Sequence, residues 1–118
     1  GVGVDISAPG GDDRDQVGTP EGSEGQLLST FNDGQSKPGN ATYALEEGTS
    51  MAAPVVSGII ALLYSMKSTM TFDDAWGLIS KTVTPFKAGG QCALSTTGMC
   101  GIGIVNAGAA VALLQSQQ

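Results

Sequence analysis

The sequence has no histidine. That absence removes the side chain most used as a general base near neutral pH, and the commonest metal ligand with it. Basic residues are also scarce. Five lysines and arginines stand against eleven aspartates and glutamates, for a formal net charge of −6. The five are spread singly, without the basic stripe that tracks a phosphate backbone, so nucleic acid is not an expected partner. An acidic balance of this kind acts on solubility rather than on fold. Cys92 and Cys100 are the only cysteines, and without histidine they form no metal-type pattern. No apolar run approaches the ~20 residues of a membrane span. The most apolar stretch contains Pro54, Ser57 and Gly58 and stops at Lys67, so no membrane is expected.

That stretch organises the chain. A polar turn ending at Gly48-Thr49-Ser50 runs straight into an apolar segment that continues to Met66. The break in polarity places a helix start at Ser50, with Thr49 as N-cap. The first amides of a helix have no internal partner and favour an anion. Ser50 therefore offers a hydroxyl that can attack and an amide that can hold the oxyanion the attack creates. Residues 55–63 are nearly all apolar or small, the pattern of a helix buried on every side. Pro54 cannot donate to the Ser50 carbonyl and should bend the helix.

Gly48-Thr49-Ser50-Met51-Ala52-Ala53-Pro54 resembles the nucleophile motif of the subtilisin-like serine proteases over seven consecutive residues. Val4-Asp5-Ile6-Ser7-Ala8-Pro9-Gly10 resembles the strand-to-loop segment that precedes the nucleophile in that family. Gly103-Ile104-Val105-Asn106-Ala107 resembles its late strand and final helix start. The three segments occur in family order and span almost the whole chain. The resemblance implies an α/β fold: the C-terminal part of a subtilisin-like three-layer fold, with a mostly parallel sheet and a buried central helix starting at the nucleophile. Residues 1–118 are then expected to be the C-terminal fragment of one peptidase domain, opening mid-strand at Gly1-Val2-Gly3-Val4. Its implied partners are an N-terminal fragment of the same protease and polypeptide substrates.

The resemblance also implies roles. Ser50 is the nucleophile. Gly48 and Thr49 border the bound substrate, Gly48 by letting its backbone come close. Met51 packs beside the site and is a point of oxidative inactivation. The base histidine, its orienting aspartate and an oxyanion asparagine fall on the missing segment. No lysine substitutes for the base. Lys67 lies about 25 Å along the helix from Ser50 at ~1.5 Å per residue, and Lys37, Lys81 and Lys87 belong to loops or a solvated helix face. Asp5 sits in an apolar strand and needs a partner; the resemblance implies calcium there, against a plain hydrogen-bonded or ion-paired aspartate. Asp12, Asp13 and Asp15 could hold calcium or simply be solvated. Secretion is implied, and with it a local Cys92–Cys100 disulfide, against two reduced buried thiols. Two alternatives stay open. Sedolisin-type peptidases combine a similar fold and Gly-Thr-Ser with a glutamate base at acid pH, which the lack of histidine fits; Met51-Ala52-Ala53-Pro54 is closer to the subtilisin form. The other is an inert structural fragment of a pseudoprotease.

The remaining chain supports that frame. Residues 2–8 read as a strand, 12–25 as a polar loop, and 26–31 and 41–45 as short strands. Asn40-Ala41-Thr42 fits a glycosylation sequon of little weight. Thr71-Phe72-Asp73-Asp74 reads as a capping box opening a helix over 72–83. Phe72, Ala75, Trp76 and Ile79 form its apolar stripe, with Trp76 as core or rim. Residues 86–101 form an excursion, 102–105 a short strand, and Asn106 caps a last helix to about Leu114.

Overall fold

The computed structural model describes residues 3–12, 25–94 and 98–117. Asp13, Asp15, Val2 and most of the expected 12–25 loop lie outside the described residues. The chain divides into two compact units, Pro9–Ala53 and Gly1–Ala8 with Pro54–Gln118.

In the first unit, β1 (Leu27–Asn32) pairs antiparallel with β2 (Ala41–Glu46). The register sets Leu28 opposite Leu45 and Thr30 opposite Tyr43. Both strands fall within one residue of the expected positions. The turn between them satisfies its own polar groups. Asn32 Oδ1 accepts from the Gly34 and Gly39 amides at 3.1 and 2.7 Å. β2 then delivers the chain to Gly48 and to α1 (Thr49–Met66).

The second unit holds the core. Leu63, Met70, Ala75, Leu78, Ile79, Val105, Ala110 and Leu114 are buried together. α2 (Phe72–Lys81) and α4 (Ala107–Ser116) pack against each other, and a short α3 (Gln91–Leu94) lies in the expected excursion. Local signals set both long starts. Asn106 caps α4, its side-chain oxygen accepting from the Ala109 amide at 3.0 Å. α2 opens on the expected capping box: Thr71 Oγ1 accepts from the Asp74 amide, and Asp74 Oδ2 accepts from the Thr71 amide at 2.9 Å. That backbone hydrogen bond, then the one from the Thr71 hydroxyl, holds the Asp74 carboxyl below the usual carboxylate range. A lowered folded-state pKa stabilises the fold above the ordinary carboxylate pKa, and the gain is lost as pH falls through the lowered value. Urea midpoints of wild type and Asp74→Asn, in the complete domain, should therefore differ at neutral pH and converge in acid.

Four expectations are corrected. First, helix α1 begins at Thr49, so Thr49 is its first residue rather than its N-cap. The Gly48 carbonyl takes the first amides instead, from Met51 at 3.0 Å and Ala52 at 3.2 Å. Second, the burial expected of α1 is not reached among the described residues, which leaves its cover to the expected N-terminal fragment. Leu63 is its only buried residue, while Leu62 is 46% exposed. By length and composition alone α1 does reach the threshold for a membrane span, because an 18-residue helix tolerates one proline and two small residues without losing its mean hydropathy. Third, α2 ends at Lys81, since Thr82 leaves helical geometry, and Phe72 points away from the core at 62% exposure. Fourth, the strands expected over 2–8 and 102–105 reduce to isolated bridges. Ile104 pairs parallel with Ser7 and antiparallel with Thr84. Ser7 donates to the Gly103 carbonyl at 2.9 Å, and Val105 donates to the Ser7 carbonyl at 2.8 Å. A strand needs neighbours to extend it, and the one sheet of named strands among the described residues is the β1–β2 pair.

Candidate active site

Ser50 sits in the first turn of α1, at the end of a strand–turn–helix path through β2, Glu47 and Gly48. Two features of the backbone aim it. Gly48 has φ +132°, a conformation that L side chains rarely adopt, so glycine is required there. Its amide donates to the Gly10 carbonyl at 2.7 Å, tying the turn to the Pro9-Gly10-Gly11 loop. Gly10 is itself a packing requirement. A Cβ there would lie 2.6 Å from the Gly48 carbonyl oxygen and 3.2 Å from the Ala52 Cβ.

Gly48, Thr49 and Ser50 are all exposed, while Met51 is half-buried behind them. The three residues expected at the substrate side therefore share an open turn. Among the described residues no hydrogen bond takes up the Ser50 hydroxyl. Lys37, Lys67, Lys81 and Lys87 are exposed, Lys67 just past the far end of α1. The chain presents an exposed serine hydroxyl in the first turn of a helix, and it contains no histidine.

Asp5 and the two cysteines belong to the second unit. Asp5 is exposed, its backbone carbonyl accepting from the Ile102 amide at 3.0 Å. No group of three or more His, Cys, Asp or Glu able to hold a metal occurs among the described residues. Calcium takes six to eight oxygens, so an ion at Asp5 would draw its other ligands, such as the backbone carbonyls of an earlier loop, from outside the described residues. Cys92 and Cys100 form the expected disulfide, with Cα atoms 5.6 Å apart. It pins the excursion beside Ser7, whose hydroxyl donates to the Cys100 carbonyl at 2.8 Å.

Two residues of the site are not visible in sequence. Gly10 reads as an ordinary strand-ending glycine, and nothing local announces its contact with Gly48. Glu47 reads as a solvated loop glutamate, yet its Oε2 is buried without a hydrogen-bond partner.

Comparison with known proteins agrees with this geometry. The subtilase family pattern matches residues 2–103, and the chain belongs to that family. An extracellular protease of Xanthomonas campestris pv. campestris is 40% identical over 111 residues, which cover 94% of this chain and 16% of that protein. An extracellular serine protease of Serratia marcescens is 34% identical over 87 residues, covering 72% of this chain and 8% of the relative. Among solved structures, a protease of Pseudoalteromonas arctica PAMC 21717 matches with a TM-score of 0.70 at 36% identity, over 96% of this chain and 30% of that one. The chain thus spans less than a third of each of these proteins.

Proposed function

We propose that this chain is the nucleophile-bearing part of a secreted serine endopeptidase. The observation that carries the proposal is Ser50, exposed in the first turn of α1 behind a glycine turn in a subtilase-family chain. A segment of the same domain, preceding Gly1, brings the base histidine, its aspartate and an oxyanion asparagine. That segment also covers the open flank of α1 and extends the Ser7–Ile104 pairing into a mostly parallel sheet. The names of the relatives and the Cys92–Cys100 disulfide support an extracellular place of action.

The reaction follows from that placement. The Ser50 hydroxyl oxygen attacks the scissile carbonyl carbon while its proton passes to the histidine. The Ser50 amide and the asparagine side chain donate to the oxyanion. The carbon–nitrogen bond breaks as the histidine returns the proton to the leaving amine. Water, deprotonated by the same histidine, then hydrolyses the acyl-serine and frees the hydroxyl. Gly48, without a side chain in an exposed turn, lets the substrate backbone come close.

A histidine base gives activity that rises through the pH range where imidazole loses its proton and stays high at neutral to alkaline pH. A pH profile of kcat/KM on the complete protease checks this. Activity confined to acid would instead mark a carboxylate base of the sedolisin kind.

A further inference from the structure

Glu47 is a feature that the proposed reaction leaves unexplained, and its role as argued here rests on reading Ser50 as the nucleophile. The residue links β2 to Gly48, three positions ahead of Ser50. Its side chain is half-buried, and Oε2 is closed to solvent with no hydrogen-bond donor. Among the described residues it is the only buried side-chain nitrogen or oxygen left so.

The surroundings hold Glu47 in place. Gly11 adopts φ +85°, and a Cβ there would fall 2.9 Å from the Glu47 Cβ and 3.2 Å from its Cα. The neighbouring Gly10 carbonyl takes the Gly48 amide at 2.7 Å. Glu47 is therefore wedged against the same glycine pair that anchors the nucleophile turn. A carboxylate oxygen withdrawn from water requires a donor. The lysines of the described residues do not supply one, since all of them are exposed and none contacts it.

We propose that Glu47 is a positioning residue for the nucleophile. Its carboxylate accepts a hydrogen bond from a cationic side chain, lysine or arginine, outside the described residues. The net charge of −6 on this chain favours a cationic partner over a neutral one. Closing the bond holds the Glu47–Ser50 turn from one side while Gly10 holds it from the other. A nucleophile fixed in this way stays in line with the scissile carbonyl, where a displacement of about 1 Å is costly.

The test uses the complete protease with Glu47→Gln and Glu47→Ala. A fluorophosphonate first titrates competent Ser50, so that kcat is expressed per competent site and misfolded protein drops out. The expected result is a kcat lower by roughly tenfold for Glu47→Gln and more for Glu47→Ala, with KM within about twofold. Glutamine keeps the shape but not the charge, so its loss reports the cationic partner. Wild-type kcat per titrated site in Glu47→Ala overturns the inference, and so does full rescue by glutamine. If wild-type Ser50 is not labelled at all, the nucleophile reading fails first and takes this inference with it. If wild type is labelled and the variants match it, only the role of Glu47 falls.

Discussion

Ser50→Ala, made in the complete protease, is expected to lower kcat by about a million-fold and leave KM and the fold nearly unchanged. That scale is the one on which removing the nucleophile of a Ser-His-Asp triad acts, because the remaining members have nothing left to activate. The substitution removes one exposed hydroxyl that has no partner among the described residues, so none of their hydrogen bonds is lost with it. The amide of residue 50 remains, and with it the backbone half of the oxyanion hole. Residual turnover above the uncatalysed rate is expected for that reason. Steady-state kinetics beside a thermal melt check both halves of the prediction. Activity close to wild type in a folded Ser50→Ala protein contradicts the assignment.

Gly10→Ala carries the second largest expected effect, although residue 10 is given no contact with substrate. Its new Cβ would stand 2.6 Å from the Gly48 carbonyl oxygen, 3.3 Å from the carbonyl carbon and 3.2 Å from the Ala52 Cβ. The first of these is backbone, which cannot swing away as a side chain can. The Gly48 carbonyl must move, and it receives the Met51 and Ala52 amides that open α1. The hydrogen bond from the Gly48 amide to the Gly10 carbonyl must move with it. Overpacking of this kind costs about 1–3 kcal/mol of stability. The catalytic cost is larger. A shift near 1 Å in a positioned group lowers the rate by on the order of a hundredfold. The expected phenotype is a folded protease with a modestly lowered Tm and a kcat reduced about a hundredfold per titrated site. Unchanged kcat would show that the Gly10–Gly48 bond does not set the nucleophile.

The contrast between Ser50 and Gly10 marks what a sequence can disclose. The Gly48–Ser50 turn is legible because its signals are local: seven consecutive residues carry the hydroxyl, the flexible glycine and the helix start. The capping box at Thr71 and Asp74 and the Asn106 cap are legible for the same reason, since their partners lie three residues apart. The Cys92–Cys100 pairing is favoured by proximity together with the implied secretion. What fails to show depends on distant partners. Gly10 meets Gly48 only after the chain has run out along β1 and back along β2. The strands expected at 2–8 and 102–105 shrink to bridges at Ser7 and Ile104, because a strand is defined by neighbours that are absent among the described residues. The burial expected of α1 is legible only as an apolar pattern. Its exposed Leu62 marks a surface that the described residues leave uncovered. Glu47 gives no signal at all, since a glutamate before a glycine turn looks solvated until the turn closes around it.

The most direct measurement is labelling of the complete protease with a fluorophosphonate, followed by mass spectrometry of the modified peptide. With Ser50 as nucleophile, one adduct is expected, on Ser50, forming with wild type and absent from Ser50→Ala. A protease that is active yet carries its adduct on another serine, or an active protease that leaves Ser50 unmodified, contradicts that assignment.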